Sequence, residues 1–412
     1  MAEVKPLTAL HYNLEQTGGL QDVVAPPYDV IDADQRAALA DRSPYNVVRI
    51  DLPQGEDPYR SAAEQLASWE HDRVVVRDER PALWALTQEF TGPDGQRRTR
   101  RGFLARVRVE EYGAGRIRPH ERTHPGPRQD RLMLTRATRA NLSPIFSLFD
   151  DPENEAWGAL EPATSASPWA ETTDADGTVN RLWRIEDDGA IETVERTLGN
   201  TELLIADGHH RYETARVYAE EVGGNGPHRY VLMCLVALQD PGLAVFPTHR
   251  LARVDDKPAL ARTIERDFEV QQLPSTDALV PAPGNRVRIG YLSSEGPAML
   301  ALKDQAIADS ALEGHAEPYR RLDTAVLEAL ILKGTLDMSD DDIDHLNGLA
   351  YARDASHAIE LIERREYDGA FFMAPTPIEH VQAVARSGES MPPKSTYFFP
   401  KVPTGLLFNP LR

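Results

Sequence analysis

The stretch Leu203-Leu204-Ile205-Ala206-Asp207-Gly208-His209-His210-Arg211-Tyr212-Glu213-Thr214-Ala215 constrains this chain more than any other. Its four apolar residues read as a short buried strand and Asp207-Gly208 as a sharp turn. Ala215, Tyr218, Ala219 and Val222 then mark one face of a following helix. His209, His210 and Arg211 therefore fall in the first helical turn. Backbone N–H groups at a helix start have no intrahelical partner, and the helix dipole favours an anion there. A phosphate on this turn gains oriented N–H donors beside imidazole and guanidinium groups. The competing reading is a surface turn in which Asp207 caps the helix and the histidines are solvated.

Length and charge bound the rest. With 412 residues the chain exceeds what one core ordinarily organises, and two regions are expected, 1–251 and 252–412. Lys and Arg number 45 against 65 Asp and Glu, a formal charge of −20 that repels nucleic-acid backbones and argues against such a partner. No apolar run approaches bilayer length, and the N-terminus lacks the basic-then-apolar pattern of a signal peptide. No membrane partner is therefore expected, and the cytoplasm is the default location. The one cysteine, Cys234, lies in an apolar run and reads as a buried structural thiol. The oligomeric state is left open.

Along the chain, Val23-Val24-Ala25-Pro26-Pro27-Tyr28-Asp29 is held extended by its prolines, which either present Tyr28 and Asp29 to a pocket or stiffen a loop. Tyr45 to Leu52 reads as a strand and Pro58 to Asp72 as a helix. Two strands, 81–90 and 101–109, form a hairpin, and the basic run Arg97 to Arg101 reads as a solvated edge protected by charge. Arg118-Pro119-His120-Glu121-Arg122-Thr123-His124 surrounds one carboxylate with basic groups. Buried there, Glu121 is a candidate general base with His120 beside it; exposed, it belongs to a salt-bridged turn. A polar helix (128–139) and a strand (143–149) follow, and 151–178 reads as a surface excursion. Phe246-Pro247-Thr248-His249-Arg250-Leu251 brings His249 and Arg250 to a strand end, either a second wall for an anion or a solvated exit. Helices and strands alternate beyond 252. In Met391-Pro392-Pro393-Lys394-Ser395-Thr396-Tyr397-Phe398-Phe399-Pro400-Lys401 the prolines hold Lys394 extended, toward a phosphate or as part of a docked strap.

These motifs together, Ala25 to Ile31, Pro119-His120-Glu121, Ile205 to Glu213, Pro247 to Arg250 and Met391 to Tyr397, resemble the bacterial and archaeal family called domain of unknown function 1015. A narrower resemblance follows from the order Pro-His-Glu, helix, Pro-Ile strand, apolar strand and Asp-Gly-His-His-Arg. It is similar to the ParB/sulfiredoxin-like fold, particularly the free serine kinase branch. That resemblance implies that Glu121 activates a substrate hydroxyl while Asp207, Gly208, His209, His210 and Arg211 hold nucleotide phosphates. Between Ile145 and Ile205 this chain carries an excursion where those kinases are compact. Sulfiredoxin chemistry needs a cysteine at the turn, which has none, and a ParB-type DNA switch needs a basic surface.

The expectation is an α+β fold: a ParB/sulfiredoxin-like core with large insertions at about 116–251, followed by an α/β C-terminal domain. The expected activity is a nucleotide-dependent, serine-kinase-like phosphotransferase using ATP or ADP with Mg²⁺ on a small hydroxyl metabolite. Tyr28, Asp29, His249, Arg250 and Lys394 are candidates for a second wall. No resident metal is expected, since His120, His124, His209, His210 and His249 lack helical zinc spacing. A noncatalytic sensor of a nucleotide or phosphorylated metabolite shares the turn but has no use for Glu121. A phosphatase or nucleotide hydrolase would put water where the hydroxyl stands.

Overall fold

The two largest sheets form from separate stretches of the chain, each inside its own compact unit. The computed structural model describes residues 2–112, 116–121 and 125–412. One unit comprises Met1–Pro119, Thr123–Leu243 and Pro400–Arg412, and the other His120–Arg122 with Ala244–Phe399. The division lies at Leu243 rather than 251 because His249–Ala252 pairs with Leu349–Ala352 and Gly369–Phe372 in the second unit's sheet. The last thirteen residues, expected with the C-terminal half, belong to the first unit.

The first unit's nine-stranded sheet runs in the order Ile117–Arg118, Leu203–Asp207, Ile145–Phe149, Tyr230–Ala237, Arg97–Arg108, Leu83–Thr91, Val179–Ile185, Ala170–Thr173, with Val4–Lys5 also on Arg97–Arg108. Two pairings are parallel, Leu203–Asp207 with Ile117–Arg118 and Tyr230–Ala237 with Ile145–Phe149; the others are antiparallel. Alternate residues such as Phe103, Ala105 and Val107, or Val231, Met233 and Leu235, line one core face, as the two-residue strand period requires. Tyr212 and Ala215 of the helix His209–Val222 pack into the same core.

Three expectations change. The stretch 151–178 is no mere excursion: Ala156, Trp157 and Leu160 of the helix Glu155–Leu160 enter the core, and Ala170–Thr173 extends the sheet. Tyr45 to Leu52 is not a strand but holds a helical turn, Val48–Asp51. Asn46 forces it, accepting from the Val48 N–H while its amide donates to the Asp22 and Val24 carbonyls. Arg100, within the run expected to be a solvated edge, is 1% exposed. Its Nη2 donates to Gln88 and, at 2.6 Å, to the Pro400 carbonyl, and its guanidinium lies 4.4 Å from the Phe146 ring centre. Burial pushes its pKa down to about 10. Arg97, Arg98 and Arg101 pair instead with Glu89, Asp94 and Asp240.

The second unit mixes helices with a six-stranded sheet ordered Phe268–Gln272, Gly296–Leu302, Arg288–Ser293, Gly369–Phe372, His249–Ala252, Leu349–Ala352, antiparallel throughout. The α+β class is thus observed. Among the described residues no helix is long and apolar enough to cross a membrane.

Replacing Arg100 with Leu strands the Gln88 and Pro400 oxygens in the interior. The variant is expected to lose about 2–4 kcal/mol in urea unfolding and to release the final segment to limited proteolysis before the rest of the chain.

Candidate functional site

Leu203 to Ala206 are buried, and pairing with Ile145–Phe149 carries the strand to Asp207. Gly208 turns with φ 96°, and the helix His209–Val222 begins at the next residue. Only glycine suits this position. The φ is unfavourable for other residues, and a Cβ would stand 2.9 Å from the Arg211 guanidinium. The helix has no side-chain cap and no acidic residue in its first turn. His209 is 3% exposed and His210 half-buried. Val222, expected on the packed face, is exposed; Tyr212, Ala215, Tyr218 and Ala219 form that face with His209.

Asp207 does not cap the helix. Its carboxylate lies between Arg211, at 2.6 Å, and the Lys401 ammonium. Burial opposes its ionisation, but Lys401 and Arg211 outweigh burial and hold the carboxyl well below the usual range. Arg211 Nη1 also donates to Ser143 Oγ at 2.7 Å and to the Pro144 carbonyl. The helix-start arginine is thus fastened to protein acceptors. Lys401 was not singled out from sequence. Its backbone is clamped where the Pro400 carbonyl accepts from Arg100 and its own carbonyl from Gln88 Nε2 at 3.2 Å.

Tyr28 belongs to the same unit and, with Arg211, lines a cavity of about 40 Å³ that also touches Asp51, Arg131, Ser143 and Thr214. The Arg131 guanidinium lies 4.3 Å from the Tyr28 ring centre and 3.0 Å from Asp51. Burial pushes the Tyr28 hydroxyl up to about 12. It also raises the Asp51 carboxyl, against the pull of Arg131 and Arg211. Asp29 is exposed on the single turn Tyr28–Val30.

The other candidates fall in the second unit. His120 is buried, its Nε2 2.9 Å from Thr396 Oγ1 and its carbonyl accepting from the Met391 N–H at 2.7 Å, so the Pro-His-Glu segment is tied to the proline-rich strap. Glu121 is half-buried. It adds to the charges around Tyr351, whose hydroxyl pKa is raised chiefly by burial. Arg122, Thr123 and His124 lie outside the described residues.

His249 and Arg250, proposed as a second wall, are committed to the protein itself. His249 is 2% exposed, accepts from the Met373 N–H and packs on Phe372; burial pushes it down to about 4, so it is neutral. Arg250 donates to the Thr248, Pro393 and Lys394 carbonyls. Lys394 is exposed with φ 55°. Burial pushes Cys234 up to about 12, as suits a structural thiol. Among the described residues, no three His, Cys, Asp or Glu are grouped to hold a metal.

A strand, a glycine turn and a helix start flanked by basic side chains form one βα turn, an arrangement in which the helix dipole and nearby cations favour an anion. The chain belongs to the family described as Protein of unknown function (DUF1015), whose pattern matches residues 4–325. No curated protein matches it. Among solved structures it is similar to a conserved hypothetical protein from Pyrococcus furiosus, at 15% identity and TM-score 0.36, over 70% of this chain and 90% of that one. It is also similar to free serine kinase in complex with AMP, at 14% identity and TM-score 0.37, over 71% and 89%. SbnI with a C-terminal truncation from Staphylococcus aureus matches at 13% identity and TM-score 0.37, over 72% and 82%.

Gly208→Ala is expected to cost about 1–3 kcal/mol by forcing an L side chain into the left-handed region against Arg211, read as a lowered thermal midpoint. For His249 the native state binds its proton only near pH 4 whereas the unfolded chain binds it near 6.5, so stability falls as pH drops through that window. The loss amounts to about 3 kcal/mol. Urea unfolding of His249→Gln, which keeps an acceptor for Met373, is expected to show a flatter profile from pH 6.5 to 4.

Proposed function

We propose that the chain is a nucleotide-dependent phosphotransferase acting on a small hydroxyl metabolite, with free serine the first acceptor to test. The observation that carries this reading is the start of the His209–Val222 helix. It follows a glycine turn, lacks a side-chain cap, has no acid in its first turn and sits among Arg211, Lys401 and two histidines. A helix start behind a glycine turn, with cations beside it and no acid in its first turn, favours a polyanion.

In this reading the phosphates of ATP or ADP, accompanied by Mg²⁺, lie on the N–H groups after Gly208, with His209 and His210 as further donors. Asp207 and Arg211, bonded to each other, keep the turn in shape. Glu121 takes the proton of the acceptor hydroxyl as its oxygen bonds to the terminal phosphorus and the bond to the nucleotide oxygen breaks. Phosphoryl transfer depends mainly on positioning and charge stabilisation, and a general base adds about 10²–10⁴ in rate. His120, through Thr396 and the Met391 N–H, anchors the backbone that carries Glu121.

Phosphorus NMR of the protein with Mg²⁺, ATP or ADP, and free serine is expected to show new phosphoserine. Glu121→Gln is expected to abolish it with nucleotide affinity nearly unchanged. Full activity in the variant would remove Glu121 from the base role, and nucleotide bound but never consumed would leave a sensor. Inorganic phosphate released without phosphoserine would indicate a hydrolase.

A further inference from the structure

We infer that Lys401, brought in by the last residues of the chain, is the cation that meets the outer phosphates of a nucleoside di- or triphosphate at the Asp207–Arg211 turn. The inference rests on the phosphate-site reading above and goes beyond it in assigning a ligand residue and a preference for more than one phosphate. Lys401 lies outside the segment that matches the family pattern, 4–325.

Charge is the first argument. Asp207 is bonded to two cations, Arg211 and Lys401, and the helix start beside them adds partial positive charge. The second argument is the contrast between the cations. Arg211 is 11% exposed and spends its Nη atoms on Asp207, Ser143 and Pro144. Lys401 is 20% exposed, and its ammonium is a compact charge with three donors on a flexible stem. Moving Nζ from Asp207 to a phosphate oxygen leaves Asp207 with Arg211, whereas moving Arg211 would dismantle the turn.

The third argument is the way the lysine is supported. Arg100 is buried without a carboxylate bonded to it, a costly arrangement, and one of its contacts fixes the Pro400 carbonyl. Gln88 bonds Arg100, Asn180 and the Lys401 carbonyl together. The fold thus holds the backbone of Lys401 in place beside Asp207, and a phosphate would compete with Asp207 for its ammonium.

Calorimetric titration of ADP and AMP, with Mg²⁺, into wild type, Lys401→Met and Lys401→Arg tests this. Lys401→Met is expected to bind ADP about 10- to 100-fold more weakly while AMP affinity changes less than about threefold, with Arg restoring most of the ADP affinity. On wild-type protein, ADP but not AMP is expected to protect Lys401 from amine acylation, a readout that needs no variant to fold. Equal weakening of ADP and AMP, or no protection by ADP, would overturn the assignment and leave Lys401 as a structural partner of Asp207. If wild type binds no nucleotide at all, the phosphate-site reading itself falls, and this inference with it.

Discussion

A single carboxylate, Asp207, ties a strand and the helix that follows it to a piece of chain far away in sequence. It ends a buried strand, receives Arg211 from the first turn of the next helix, and receives Lys401 from nearly two hundred residues further on. Two cations on one half-buried acid keep it charged where burial alone would favour the neutral form. Ion pairs taken out of water contribute little net stability and much geometric definition. Here the definition concerns where a glycine turn points its N–H groups and which side chains stand beside them.

The same logic explains a feature that is otherwise expensive. An acidic chain buries Arg100 against Gln88, a backbone carbonyl and the face of Phe146. Its guanidinium orders the final segment. The Asn409–Pro410 bridge to Ala140–Asn141 and the isolated pairing of Ala25 with Thr404 then hold the remainder of that segment within the first unit. Without this clamp the charge at Asp207 would face one cation instead of two.

Backbone carbonyls compete with anions for basic side chains, and in the second unit they prevail. Arg250 is spent on the proline-rich strap, Ser395 donates to the Pro392 carbonyl and lies 3.0 Å from Thr324 Oγ1, and His120 reaches Thr396. Prolines create such sites because they expose carbonyls that no neighbouring N–H claims. A run of conspicuous basic residues can therefore mark a strap and its fasteners rather than a ligand.

Local chemistry made part of this protein legible in advance. The apolar run Leu203 to Ala206, the Asp-Gly turn and the helix after it follow from periodicity and glycine's freedom at positive φ, since these act over a few residues. The hairpin across Gly92-Pro93-Asp94-Gly95, the buried thiol of Cys234 and the mixed helix-and-strand class were readable for the same reason. What the sequence could not decide were matters of register and of chain return. Arg100 looked like its exposed neighbours until pairing set it opposite Gln88, and Lys394 outshone Lys401 until the last residues folded back onto the first unit. Burial and partner choice are sums over contacts from distant segments, and only the tertiary structure performs that sum.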